Sequence, residues 1–390
     1  MAIDTQRAQV LTGGEAVAHA MRQIDPDVVP VYPITPQTPI IQGFAKFVAD
    51  GRATGEIVNV ESEHSALSAA VGSALAGART ITATSSQGLA LMAEIVYIAA
   101  SLRAPIVMAV GNRALSGPIN IHADHSDSML VRDSGVVQLF AENAQEAYDL
   151  MVMAPRIAEH PNVLLPVLVG QDGFTITHSA EPVELLPDAA VREFVGEYSI
   201  PFSVLDLSRP STQGPFAMPD SYFELRYAQT VAIENARRVI DEIAIEFAEL
   251  SGRFHPAVEP YRLAGATRAI VVMGSTAGTV KDVVDALREE GDRVGLLELR
   301  SFRPFPREAV RRALADVRCI AVLDRSDSPG GRPALFAETV GAVYGGPPIV
   351  RSYVYGLGGR DVHPQDIRRV FRDVDGAGPE TQYLGLRRNG

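Results

Sequence analysis

Apolar residues along this chain fall into short runs of four to seven that alternate with longer segments of helical spacing, each bounded by proline or glycine. Val28 to Tyr32 predicts a buried strand, and Pro33-Ile-Thr-Pro-Gln-Thr-Pro39 ends it, because prolines so closely spaced forbid both a ladder and a helix interior. The pattern then predicts a helix over 39–49, a strand over 57–60, a helix over 62–78 and a strand over 80–84. Ser85-Ser-Gln-Gly88 reads as a turn into a helix over 89–102, followed by a strand over 105–110 and a loop from Gly111 to Asp127. A strand over 136–140, a helix over 144–159 stopped by Pro161, and a strand over 163–169 complete the alternation. Strands regularly separated by helices predict an α/β domain ending near residue 175, a parallel sheet with helices on both faces.

From about 176 to 262 the alternation lapses into proline, glutamate and serine, with an extended arm from Ile200 to Asp220. One long helix interrupts it: Ala232, Ala236, Val239, Ile240, Ile243, Phe247 and Leu250 recur at helical spacing and define a single apolar face. That face needs cover, from the first domain or from a partner chain. From Thr267 a second α/β unit begins, with strands over 269–273, 294–299, 319–323 and 349–354 and a last helix entered at Pro364. The chain thus divides into residues 1–262 and residues 263–390.

Composition changes this picture little but narrows the function. With 35 basic and 47 acidic residues the formal charge is -12, which argues against nucleic acid or an anionic membrane as main partner. The charged N-terminus, and the interruption of the most apolar stretch by Glu94, Arg103 and Pro105, predict a cytoplasmic protein without membrane spans. A single cysteine, Cys319, in an apolar run excludes an internal disulfide and an iron–sulfur cluster held by four of the chain's own thiolates; it reads as a core residue or, less simply, a reactive thiol.

Several stretches could carry chemistry. Gly274-Ser-Thr-Ala-Gly278 lies between a strand and a helix, where backbone N–H groups can hold an anion, but it lacks dinucleotide and P-loop spacing; Gly356-Leu-Gly-Gly-Arg360 is equally permissive. His122-Ala-Asp-His-Ser-Asp127 gathers four candidate ligands, readable as a metal site or as a hydrogen-bonded active-site loop. Glu63 falls in the first turn of a small-residue helix, either a solvated carboxylate favoured by the dipole or a functional one desolvated by its neighbours. Its company favours function: Thr35 in the proline turn and Arg113 at a strand end.

In this order, Tyr32-Pro-Ile-Thr-Pro, Glu61-Ser-Glu-His, Thr84-Ser-Ser-Gln-Gly88, Gly111-Asn-Arg-Ala-Leu and His122-Ala-Asp-His-Ser-Asp resemble the alpha subunit of the multi-subunit 2-oxoacid:ferredoxin oxidoreductases, most closely the pyruvate branch. The resemblance covers nearly the whole chain. It implies a thiamine-diphosphate-enzyme pyrimidine-type domain, then an α/β domain similar to the transketolase C-terminal domain through Leu296-Leu-Glu-Leu-Arg-Ser-Phe-Arg-Pro-Phe-Pro306. The Gly-Gly-Pro-Ser-Thr-Gly run of the 2-oxoglutarate branch is replaced by Ala114-Leu-Ser-Gly-Pro118.

The resemblance implies that Glu63 hydrogen-bonds the aminopyrimidine of thiamine diphosphate, with Glu61 the less suitable carboxylate. It implies that Thr35 and Arg113 bind the carboxylate of the 2-oxoacid, that Pro33 contacts the cofactor, and that Ile121 meets the substrate methyl. Coenzyme A is then the co-substrate. Magnesium and the iron–sulfur clusters belong to partners: a thiamine-diphosphate-binding beta subunit, a gamma subunit, a ferredoxin-like subunit and external ferredoxin. The Gly-Asp-Gly run that would hold diphosphate and magnesium has no counterpart at Gly170-Gln-Asp-Gly173, so this chain is expected to hold only part of the cofactor and no metal. Other readings are a branched-chain or aryl 2-oxoacid, a non-redox thiamine enzyme component, and a non-catalytic scaffold.

Overall fold

The computed structural model describes residues 7–346, 349–376 and 379–387; Met1–Gln6, part of the charged N-terminus, lie outside the described residues. It begins with a strand and helix absent from the expected elements, β1 (Arg7–Thr12) and α1 (Gly13–Ile24). Thr12 Oγ1 accepts from Glu15 N at 3.3 Å while the Glu15 carboxylate accepts from Thr12 N at 2.9 Å, so a capping box starts α1 despite the glycines inside its first turn.

The first sheet then forms in the predicted alternation. Its strands are β2 (Val28–Val31), β3 (Glu56–Asn59), β4 (Thr80–Thr84), β5 (Ile106–Asn112), β6 (Val137–Phe140) and β7 (Val167–Asp172). Between them run α2 (Thr38–Ala49), α3 (Glu63–Ala76), α4 (Ser86–Ser101), α5 (Ser126–Leu130) and α6 (Ala144–Ala158). These strands are parallel, in the order β3-β2-β4-β5-β7-β6. From β2 the chain moves outward to β3 and crosses back to β4, which makes the carboxyl ends of β2 and β4 a switch point, the usual mouth of a site in such sheets. Several boundaries differ from expectation, among them the end of β5, which takes in Gly111 and Asn112 from the expected loop. The run Ser86-Gln-Gly88 belongs to α4 instead of a preceding turn, and 163–166 is loop instead of strand.

After β8 (Ala180–Leu185), which pairs antiparallel with β1, come α7 (Asp188–Val195) and α8 (Tyr222–Ser251). The apolar face of α8 is covered from within the chain: Ala232, Ala236, Val239, Ile240, Ile243 and Phe247 are buried in the cluster that contains the residues of α6. The second sheet consists of β9 (Val258–Tyr261), β10 (Arg268–Val272), β11 (Val294–Leu299), β13 (Cys319–Asp324), β14 (Ile349–Val354) and β15 (Thr381–Tyr383), in the order β15-β14-β13-β10-β11-β9 with only β9 antiparallel. Helices α9 (Thr276–Glu289), α10 (Arg307–Ala313), α11 (Ala334–Val343) and α12 (Pro364–Asp373) flank it. Between β11 and α10, a short β12 (Ser301–Arg303) leaves this unit and pairs antiparallel with β6, extending the first sheet to seven strands. Met129 and Phe140 of the first unit share a core with Phe302, Phe305 and Leu297, so apolar packing runs across the junction. Among the described residues no helix is long and apolar enough to cross a membrane.

Candidate active site

Four segments meet beyond the carboxyl ends of β2, β3, β4 and β5: residues 33–37, 61–63, 84–88 and 111–113. Ser62 caps α3, its Oγ accepting from Ser65 N at 3.2 Å, and this fixes Glu63 in the first helical turn. Glu63 is 8% exposed, and among the described residues no donor bonds its carboxylate. Glu61 lies in the bend before α3; its carboxylate is exposed, accepts from Ser65 Oγ, and is held below the usual glutamate range by that bond. The two candidates therefore separate: one acid is exposed and bonded to Ser65, the other is nearly buried and unpartnered.

Gly88 in the first turn of α4 faces Glu63. A Cβ there would stand 2.9 Å from both Glu63 Cγ and Oε1, and closer still to Thr84 Oγ1, so only glycine lets the carboxylate lie against this helix end. At the start of α4, Ser86 adopts φ 46°, a left-handed conformation uncommon for serine. It is held there by two bonds: Ser86 N donates to Asp127 Oδ2 at 2.9 Å and Ser86 Oγ to Ala114 O at 2.5 Å.

Arg113, at the end of β5, is 7% exposed. Its Nη1 donates to Thr35 O at 2.9 Å and its Nε to Asn120 O at 3.0 Å, so two backbone carbonyls orient the fork and draw the proline turn against it. No carboxylate pairs with the guanidinium among the described residues, and burial lowers its pKa from the ordinary arginine value. A buried cation satisfied only by neutral carbonyls is costly unless an anion completes it. Thr35 and Pro33 are exposed at the mouth, and Ile121 is 40% exposed on the loop that follows Arg113. The structure thus brings Arg113, the Thr35 main chain and the Asn120 carbonyl together, with Glu63 across the mouth on α3. For the Thr35 hydroxyl, Pro33 and Ile121 the described residues show exposure and no polar contact.

Asp127, missed as a site residue when grouped with possible metal ligands, ties the two halves together. It is fully buried, and its carboxylate accepts from Ser86 N, Arg113 N, Asn112 Nδ2 and Ser128 N at 2.7–2.9 Å. Burial pushes its pKa up to about 6 against the pull of those donors. The other members of the cluster disperse. His125 Nε2 bonds Asp172 Oδ1 at 2.6 Å, Asp124 accepts from Ser126 N at 2.8 Å and Gly358 N at 3.3 Å, and His122 packs on Phe174 with ring centroids 4.9 Å apart. They form a hydrogen-bonded loop, and the metal reading fails because their donors face different partners. Among the described residues, the carboxylates that do converge are Glu142, Glu146 and Glu298, and Lys281 and Arg300 already neutralise them.

The glycine loops are likewise occupied by protein. Asp172 sits at the start of α9, where its Oδ2 accepts from Ser275 N at 3.0 Å and Ser275 Oγ at 2.5 Å. The anion cradle at Gly274–Gly278 is therefore filled by the chain's own carboxylate. Burial would raise the Asp172 pKa, but Arg325 and His125 hold it far below the aspartate range. Being so committed, Asp172 of Gly170-Gln-Asp-Gly173 is not free to serve magnesium. For thiamine diphosphate the fit is consequently divided: a nearly buried, unpartnered carboxylate suits the pyrimidine, whereas the glycine loops that could take the diphosphate are filled by protein groups.

The model of the family described as pyruvate flavodoxin/ferredoxin oxidoreductase, thiamine diphosphate-binding, matches residues 19–244, and that of the pyruvate:ferredoxin oxidoreductase core domain II matches residues 266–367. The chain is 55% identical over 382 residues to pyruvate synthase subunit PorA of Thermotoga maritima, covering 97% of each. It is 42% identical to ketoisovalerate oxidoreductase subunit VorA of Pyrococcus abyssi, covering 94% of this chain and 93% of that one. Among solved structures, the 2-oxoglutarate:ferredoxin oxidoreductase of Magnetococcus marinus aligns with 95% of this chain at TM-score 0.71 and 20% identity, and the chain spans 66% of that longer protein, just under two thirds. A split-gene transketolase aligns with 94% of this chain and 98% of its own at TM-score 0.54 and 13% identity. Both likenesses bear on fold.

Proposed function

The chain belongs to the thiamine-diphosphate-binding pyruvate flavodoxin/ferredoxin oxidoreductase family, and on that premise we propose that its site binds pyruvate through Arg113 and Thr35 and orients the cofactor through Glu63. It is a subunit of a thiamine diphosphate-dependent 2-oxoacid:ferredoxin oxidoreductase, with coenzyme A as co-substrate. Residues 1–262 form the pyrimidine-type domain in this reading and residues 263–390 the transketolase C-terminal-like domain, with β9 and β12 hydrogen-bonded across the division.

The observation that carries the reading is Arg113, a nearly buried guanidinium with two carbonyl partners and no carboxylate. A substrate carboxylate supplies the missing anion, and the fork geometry suits two parallel hydrogen bonds. Thr35, whose main chain is already bonded to Arg113, adds a hydroxyl from a turn stiffened by its prolines. Glu63, nearly buried and with no protein donor on its carboxylate among the described residues, hydrogen-bonds the pyrimidine ring nitrogen and shares a proton with it. Pro33 borders the cofactor and Ile121 the substrate methyl. Thiamine diphosphate supplies the nucleophilic carbon and the electron sink for loss of carbon dioxide. The protein's part is to hold the departing carboxylate without over-stabilising it, to keep Glu63 dry, and to exclude water from the mouth.

Diphosphate, magnesium and the redox clusters fall to other chains: a thiamine-diphosphate-binding beta subunit, a gamma subunit and a ferredoxin-like subunit that delivers electrons to external ferredoxin, all in the cytoplasm. The commitment of Asp172 and the single, buried Cys319 support that division. In reconstituted enzyme, Arg113→Ala should raise the pyruvate KM about ten- to two-hundred-fold, the worth of a hydrogen-bonded charge, and Arg113→Lys should recover only part of it. An unchanged KM for pyruvate and for branched-chain 2-oxoacids would remove Arg113 from the site. A branched-chain substrate is the second reading, favoured by the 42% identity to the ketoisovalerate oxidoreductase subunit; the ratio of kcat/KM for the two acids decides between them.

A further inference from the structure

Arg113 is oriented by two carbonyls of different standing. Thr35 O belongs to a proline-rich turn, whereas Asn120 O belongs to the irregular stretch between β5 and α5. An irregular loop fixes a carbonyl only if its own polar groups are tied down. Asn120 is tied at three points. Its main-chain oxygen accepts from Arg113 Nε at 3.0 Å, its Oδ1 accepts from His122 N at 2.7 Å, and its Nδ2 donates to Gly358 O at 3.1 Å. The second of these closes a turn with Ile121 at its centre, as asparagine side chains commonly do. The third reaches 238 residues along the chain, into the glycine loop after β14.

That glycine loop is built to receive the asparagine. Gly358 lies at φ 60°, and a Cβ on it would come within 2.6 Å of Asn120 Nδ2. Next to it, Gly359 N donates to Ala123 O at 2.9 Å and Gly358 N to Asp124 Oδ2 at 3.3 Å. Three hydrogen bonds from two successive glycines therefore clamp residues 120–124 from the second unit. The loop that the sequence offered as a phosphate cradle is occupied by the loop that supports Arg113.

We propose that Asn120 is a positioning residue for the 2-oxoacid: pinned to Gly358, its amide sets both the carbonyl that aims Arg113 and the turn that presents Ile121. The second unit thereby tunes substrate affinity without touching substrate. This rests on the reading of Arg113 as the carboxylate anchor, and the test separates the two.

Asn120→Ala, Asn120→Asp and Gly358→Ala are compared with Arg113→Ala in the reconstituted multi-subunit enzyme, measuring KM and kcat for pyruvate, bound thiamine diphosphate, and calorimetric affinity for oxamate as an unreactive mimic. Asn120→Ala loses the tie to Gly358 and the turn, so KM and the oxamate Kd should rise together by about three- to thirtyfold, on the scale of one to two neutral hydrogen bonds. Turnover should stay within about twofold and cofactor content should not change. Asn120→Asp keeps the acceptor for His122 N and loses the donor to Gly358, so it should fall between wild type and Asn120→Ala. Gly358→Ala alters only the second unit; assayed well below its melting temperature, it should raise KM in the same direction. The positioning role is overturned if KM and oxamate affinity are unchanged in Asn120→Ala and Gly358→Ala while Arg113→Ala still raises KM. A fall in kcat with KM unchanged overturns it equally. If Arg113→Ala leaves KM unchanged, the anchor reading fails first, and the positioning role with it.

Discussion

Gly88→Ala tests the cofactor side of the site by displacement, leaving the acid itself in place. The added Cβ would stand 2.9 Å from Glu63 Cγ and Oε1, about 0.5 Å inside ordinary contact at 3.4 Å, and it would press harder on Thr84 Oγ1. Thr84 is fully buried at the end of β4, and Glu63 is anchored through the Ser62 cap, so the carboxylate is the group with freedom to move. A misplacement of 1 Å in a catalytic group costs about a hundredfold, so half of that costs on the order of tenfold in kcat. Stability should fall by no more than about 2 kcal/mol, since overpacking costs about 1–3 kcal/mol while alanine gains about 1 kcal/mol of helix propensity over glycine. The assay is exchange of the thiazolium C2 proton in reconstituted enzyme, followed by NMR of quenched samples, beside steady-state oxidation of pyruvate. Thr84→Ala in the same chain removes the tighter of the two clashes and should restore part of the rate. Exchange and turnover within twofold of wild type in Gly88→Ala would refute the reasoning, because Glu63 would then not need the place this helix end gives it.

Glu63→Gln keeps the volume and removes the ionisable group; C2 exchange should slow by roughly two to four orders of magnitude with the melting temperature unchanged, and a loss of only a few-fold would return the role to Glu61. Arg325→Met strands the fully buried Asp172 carboxylate, which should lower stability by about 3–5 kcal/mol in denaturant titrations, and adding Asp172→Asn should recover most of it. Asp127, with its pKa near 6, accepts on both oxygens only when ionised. The pyruvate KM should therefore rise as pH falls through about 6, and Asp127→Asn should show a raised KM that no longer varies across that range. The stability effect has the opposite sign: a folded value above the unfolded one of about 3.9 means ionisation of Asp127 costs stability, a cost that grows from about pH 4 to pH 6 and disappears in acid.

What the sequence determined by itself was whatever short-range physics writes into a window of a dozen residues. The period-2 and period-3.6 runs placed the six parallel strands of the first sheet and β10, β11, β13 and β14 of the second, though not β9, β12 and β15, and the proline turn put Thr35 just beyond β2. The chain's order also put Glu63 in the first turn of α3, where an N-cap serine could be read directly. Among the local signals that went unread is the Thr12–Glu15 capping box behind two glycines. Tertiary structure decided everything that depends on groups far apart in the chain. The apolar face of α8 was legible, but its cover by the α6 side of the first unit was not, because an apolar stripe carries no address. The glycine run at 274–278 and the acid at 172 each looked available, yet they occupy one another across 103 residues. The ligands of His122–Asp127 looked like one cluster because they are adjacent in sequence. An irregular loop turns successive side chains in different directions, and the partners waiting there, Asp172, Gly358 and the start of α4, come together only when the sheets fold and meet.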